Sequence, residues 1–258
     1  PWHKAAVSRV EGLLCRRCDL VLTMSDTVAD ILAERYAIPR PLVIPNVHPS
    51  VEVTPSPDIR ARLTGGREGR VAVYVGYLIY NRGLEQLIDA AQHLEGVIVA
   101  IIGDGVLRPT LERRVQERRV EDRVHFVGWV APDELPAYMA AADVGVAPTQ
   151  GTFLSYYSTL DNKLFHYIMA GIPLAVSDHP EKRNLVERYG IGAVFDETDP
   201  RDIARVINDL LADPRQYEAM RARCRRAARE ELNWETVSRR FVAAVERLEH
   251  TKKAEGRR

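Results

Sequence analysis

Two basic residues stand where helix electrostatics discourage them. In "LDNKLFHYIMAGIPLAVSD" (160–178) Lys163 opens an amphipathic stretch, and in "YNRGLEQLIDAAQHL" (80–94) Arg82 stands just ahead of another. A helix N-terminus presents unpaired N–H groups and about half a positive charge, so a cation there is disfavoured. Two such residues on what read as equivalent loops imply that something anionic belongs between them. Two cations together with helix N-termini can make a metal-free diphosphate site, each charge-assisted hydrogen bond contributing about 1.5–3 kcal/mol. His166 follows Lys163 by three positions and shares its helix face, which makes it a candidate contact for a sugar hydroxyl. Asn162 can cap that helix, Gly171 can end it, and Pro173 prevents its continuation.

The elements that must carry these residues alternate along the chain. "VAVYVG" (71–76), "VIVAIIG" (97–103), "VHFVG" (124–128), "DVGVAP" (143–148) and "PLAVSD" (173–178) read as short buried strands. Helical patterns occupy 84–94, 106–118, 133–141 and 162–170, and three more helices, at 199–212, 214–230 and 233–250, follow "AVF" (193–195). This alternation predicts an α/β fold, a doubly wound parallel sheet covered on both faces. Ligands of such sheets bind at the carboxyl ends of the strands, here Gly76, Gly103-Asp104-Gly105, Gly128-Trp129, Pro148-Thr149 and Ser177. Other nucleotide and hydrolase motifs are excluded. No G-K dipeptide exists for a Walker loop, and "GDGVLR" (103–108) has Arg108 where a dinucleotide fingerprint needs its third glycine. Neither G-x-S-x-G nor H-E-x-x-H occurs.

The 258 residues contain 36 Lys and Arg against 36 Asp and Glu, so the whole chain has no nucleic-acid signature. From Arg215 onward basic residues outnumber acidic ones by 13 to 7, a basic C-terminus that suggests either a solvated helix face or contact with an anionic membrane. Three cysteines cannot make a disulfide framework and fit a reducing, cytoplasmic setting. Cys15 and Cys18 have the spacing of half a zinc site without a second half, and are expected as buried thiols on a short helix. No apolar run is long enough to span a bilayer. Residues 1–50 read as a lone strand–helix–strand piece, with strands at 18–25 and 41–46, too small to bury its own faces. The Pro-rich "VHPSVEVTPSPD" (47–58) reads as the linker that follows it.

The blocks "VAVYVGYLIYNRGLEQLIDAAQHL", "IIGDGVLRPTLE", "VHFVGWV" and "NKLFHYIMAGIPLAVSD", in this order, resemble the donor domain of family 4 glycosyltransferases, retaining enzymes of the two-lobed GT-B fold. The resemblance implies that Arg82 and Lys163 clamp the diphosphate of a nucleotide-sugar and stabilise it as it leaves. It implies a cleft lined by Gly76, Tyr77, Gly103, Asp104 and Gly105, a base held at Trp129 and Val130, and positions Ser158 and His166 where many members carry a glutamate pair. Asp161 replaces a usual proline. The expected organisation is a remnant of the acceptor lobe at 1–50, a Rossmann-like nucleotide-sugar domain at 51–230, and at 231–258 a helix crossing back to the first piece with a basic tail. The expected activity is metal-free sugar transfer from a nucleotide-sugar to a hydroxyl acceptor. It would need the missing acceptor lobe in cis or in trans and would take place in the cytoplasm or at the inner face of the membrane. A non-catalytic nucleotide-sugar-binding module, or one subunit of a split glycosyltransferase, is the alternative.

Overall fold

The computed structural model describes residues 2–51, 56–158, 160–254 and 256. Helix α1 (Trp2–Cys15) leads into β1 (Leu22–Thr23), α2 (Asp26–Tyr36) and β2 (Leu42–Val43). Strands β1 and β2 form a two-stranded parallel sheet of their own. Both are two residues long, shorter than expected, since a pair this small has no sheet beside it to propagate the ladder. Of the expected linker, residues 52–55 lie outside the described residues, as do Arg257 and Arg258 of the basic tail.

The main body then runs α3 (Pro57–Thr64), β3 (Arg70–Val75), α4 (Leu84–Ala90), β4 (Val97–Ile102), α5 (Arg108–Arg118), β5 (Val124–Gly128), α6 (Leu135–Ala140) and β6 (Val144–Ala147). It continues with α7 (Leu154–Tyr157), α8 (Asn162–Ala170), β7 (Leu174–Ser177), α9 (Pro180–Tyr189), β8 (Gly192–Phe195), α10 (Pro200–Ala212), α11 (Pro214–Glu230) and α12 (Trp234–Ala254). All six strands from β3 onward are parallel and lie in the order β5-β4-β3-β6-β7-β8, a doubly wound sheet whose direction of growth reverses between β3 and β6. Alternate residues of β3 enter two separate cores. Val71, Val73 and Val75 pack with Leu63 of α3, Met139 of α6, Leu164 of α8 and Cys224 of α11. Ala72 and Tyr74 pack with Leu87 of α4, Leu111 of α5 and Ile207 of α10. Burial on both faces is why the strands read as unbroken apolar runs.

Helices α3, α7 and α9 are not expected from the apolar pattern, nor is α1, which runs from Trp2 up to the cysteine pair where only a short helix is expected. For α9 the signals lie at its ends: Pro180 at its first position and Gly190 just past it in the left-handed conformation (φ 61°). The thiol expectation is overturned for the first pair of cysteines, because Cys18 is exposed and Cys15 half-buried at the end of α1. Helix α12 runs back along the first piece: Arg240 Nη2 donates to Val43 O at 2.7 Å, Trp234 N to His48 O at 3.0 Å, and Lys252 Nζ pairs with Asp19 at 2.7 Å.

Candidate functional site

Strands β3 and β6 stay paired only at Ala72–Val144 and Val73–Gly145. Beyond that point they part, and the buried hydroxyl of Tyr167 fills the gap, accepting from Val75 N and donating to Val146 O, both at 3.2 Å. The ring reaches the sheet because position 145 is glycine, where an added Cβ would lie 2.2 Å from it. Tyr167 therefore fixes α8 to the switch point, and Lys163, four residues earlier on the same face, is set at the mouth of the opening. The loops after β3 and β6 are joined as well. Gln150 N donates to Asn81 O at 3.0 Å, and Gly83 (φ 68°) lies so close to Pro148 that a Cβ would fall 1.8 Å from its carbonyl oxygen.

The result is a cavity of about 480 Å³ at the carboxyl edge, between these loops, α8 and the first piece. Its wall includes Gly76, Tyr77, Arg82, Asp161, Lys163 and His166, with Met24 from the first piece. Lys163 is only 8 % exposed, and its ammonium lies 3.8 Å from the centre of the Tyr74 ring, against Gly76. Burial pushes the Lys163 pKa down to about 7, with Asp161 opposing that shift and Arg82 and Lys182 adding to it. Arg82 stacks on Tyr156 at 4.7 Å and reaches Asp161 Oδ1 at 3.5 Å. Asp161 Oδ2 accepts from Thr149 Oγ1 at 2.9 Å and pairs with Lys182 Nζ at 3.0 Å. Against its own burial, Lys182 and Lys163 hold the Asp161 carboxyl at about 2, so it is ionised at any physiological pH.

The anion that the placement of Arg82 and Lys163 called for is thus partly internal: it is Asp161. Asp161, not Asn162, holds the N-cap position of α8, and its side chain makes no cap there because it is turned to the cations. Asn162 instead accepts from Asn46 Nδ2 at 3.0 Å, across to the first piece. His166 stacks on His48 with ring centres 3.8 Å apart, and burial with the neighbouring imidazole lowers its pKa to about 4. It is neutral near pH 7.

Five of the predicted residues, Gly76, Tyr77, Arg82, Lys163 and His166, meet on one wall. The others do not line this cavity. Gly103, Asp104 and Gly105 belong to the adjoining loop on the same rim, tied to the β3 loop through Leu78 N donating to Asp104 O at 3.0 Å. Trp129 is 71 % exposed after β5, whereas the Val130 side chain is in the core. Ser158 is buried, and its carbonyl accepts from Ser25 Oγ at 2.7 Å. Sequence reasoning missed Lys182 and Tyr156, and gave Asp161 no partner. Lys182 belongs to a helix that the apolar pattern did not reveal.

A doubly wound sheet binds its ligands at the switch point, and in this chain Arg82 and Lys163 stand there. Residues 56–231 match the family described as glycosyl transferases group 1, and the chain belongs to it. It is 31 % identical over 197 residues to the GDP-mannose-dependent alpha-(1-6)-phosphatidylinositol monomannoside mannosyltransferase of Mycolicibacterium smegmatis, covering 73 % of this chain and 51 % of the relative. It is 26 % identical over 256 residues to the mannosylfructose-phosphate synthase of Agrobacterium fabrum, covering 92 % and 54 %. The chain spans about half the length of these curated relatives. Among solved structures, HepE of Anabaena in complex with UDP and glucose superposes with a TM-score of 0.79 at 20 % identity, over 93 % of this chain and 66 % of that one. At that identity the likeness shows the fold, a Rossmann-like lobe of the GT-B type. No helix among the described residues is long and apolar enough to cross a membrane.

Proposed function

We propose that this chain is the nucleotide-sugar-binding part of a retaining glycosyltransferase of family 4, which transfers a sugar to a hydroxyl acceptor. The observation that carries the reading is the convergence of Arg82 and Lys163 on one cavity at the switch point. In transfer, the bond from the anomeric carbon to the diphosphate breaks as the acceptor oxygen attacks, the hydroxyl proton passes to the departing diphosphate oxygen, and the sugar keeps its configuration. Arg82 and Lys163 stabilise the negative charge that grows on the departing diphosphate, an electrostatic contribution from groups already in place. No metal is needed for that role. The cavity is of a size usual for small ligands. Residues 1–50 are read as the end of an acceptor lobe, with Met24 its contribution to the cleft.

A non-catalytic nucleotide-sugar module is the second reading. It is favoured by His166, whose ring stacks on His48 and which supplies no carboxylate for a ribose. A cytoplasmic chain resting on the membrane through its basic C-terminus has less charge to use than the sequence offers. Arg221 and Arg223 of α11 donate to the carbonyls of Gly171 and Gly190, and Arg240 and Lys252 of α12 are engaged by the first piece.

Calorimetric titration with UDP and with GDP, with and without a chelator, tests the donor reading. Binding should be insensitive to the chelator, should weaken as salt rises, and should fall by about 100-fold or more in the Arg82→Ala/Lys163→Ala variant, the loss expected for two charge-assisted hydrogen bonds. Binding that survives the double substitution overturns the assignment.

A further inference from the structure

Lys182 has no exposed surface and lies in the first turn of α9, so burial and the helix dipole both oppose its charge. A buried lysine in such a place needs a specific partner, and Asp161 is 3.0 Å away. Asp161 does no other structural work of the usual kind, for it sits at an N-cap and caps nothing. Its carboxylate instead joins three segments: Thr149 after β6, Lys182 in α9 and Arg82 after β3. These contacts are unequal. The two from the interior, Thr149 at 2.9 Å and Lys182 at 3.0 Å, are both to Oδ2, whereas Arg82 stands 3.5 Å from Oδ1.

The inequality has a physical meaning. A buried carboxylate among three cations will be neutralised by whichever comes nearest. Were Lys182 absent, Arg82 and Lys163 would be drawn fully onto Asp161, and they are the groups that the cavity presents to a ligand. With Lys182 in place the carboxylate is satisfied from the core side and holds Arg82 only loosely.

We propose that Lys182 is a positioning residue of the anion site, fixing Asp161 so that Arg82 and Lys163 stand ready to turn from the aspartate to the phosphates of a ligand. Asp161 then acts as a place-holding anion in the empty cleft. This rests on the reading of the cleft as a diphosphate site, and it adds a residue from an element that the motif does not contain.

The test compares the parent chain, Lys182→Met and Asp161→Asn/Lys182→Met by UDP and GDP titration, with thermal melting of each. Lys182→Met should weaken binding by about tenfold or more, because an uncompensated carboxylate competes for the cations. Removing the carboxylate too should restore most of that loss. A purely structural lysine gives no such recovery. Less than tenfold weakening in Lys182→Met, or no recovery in the double variant, overturns the proposal. If Lys182→Met does not fold, the double variant decides alone: binding within about tenfold of the parent supports the proposal, and a larger loss overturns it. If the parent binds neither nucleotide, the donor reading fails, and the proposal that rests on it falls with it.

Discussion

Burial draws the Lys163 ammonium down to about 7 while Asp161 pulls it back up, so in the empty cleft this lysine is partly neutral at physiological pH. A bound phosphate favours the charged form, and binding must therefore take up a proton. The sign follows from linkage: affinity is greatest below about pH 7 and falls as pH rises, by at most tenfold per unit. Asp161, ionised down to about 2, contributes nothing to this slope. Calorimetry of UDP binding at pH 8 in buffers of different ionisation heat should register proton uptake, and Lys163→Met should abolish it. A pH-independent affinity from 7 to 9 would show that Lys163 does not meet the anion. His166, unlike Lys163, offers no positive charge in this range, since its pKa lies at about 4.

At the scale of elements, the site depends on how β3, β6 and α8 meet. Gly83→Ala would place a methyl group 1.8 Å from Pro148 O at a φ of 68°, separating the two loops that carry Arg82 and Thr149. The expected cost is about 2–4 kcal/mol, visible in denaturant unfolding, with weaker nucleotide binding in whatever remains folded. The His48–His166 stack joins the segment after β2 to α8. Both imidazoles have pKa values lowered from 6.5 by burial, so the unfolded chain binds protons first as pH falls. Stability is full above about 6.5 and declines toward 4, by about 1 kcal/mol after allowance for partial exposure. Denaturation at pH 7 and pH 5 should show this, and His166→Phe should flatten it. Much of this level was legible in the sequence. The six strands of the main sheet announce themselves as apolar runs because helices cover both faces, and Lys163 and Arg82 stand out against their helix dipoles. Lys182 did not stand out, for its meaning comes from an aspartate 21 positions away on another element. The Tyr167 bridge was hidden for the same reason: within its helix it reads as one more apolar residue.

At the scale of the whole molecule, the first piece has an apolar face that none of the described residues covers. On α1, Val7, Val10, Leu13 and Leu14 are exposed, and Leu22 of β1 is exposed too. Apolar area of this kind on a small two-stranded piece favours association. The purified chain should self-associate with rising concentration by light scattering, and Val10→Glu/Leu14→Glu should reduce it. The same chain should transfer no sugar alone, and transfer should appear only when an acceptor lobe is supplied. Turnover by the isolated chain, followed as release of UDP or GDP from the corresponding nucleotide-sugar, would refute that dependence. The first piece is held by partners far along the chain: Ser25 by residue 158, Thr27 by Glu181, Val43 by Arg240 and Asp19 by Lys252. During synthesis these arrive in order. At 5–20 residues per second, β1, α2 and β2 wait about 7–27 s for the first of them and about 10–40 s for α12. The first piece is made before the partners that hold it, and for that interval its apolar side chains are open to chaperones and to neighbouring nascent chains.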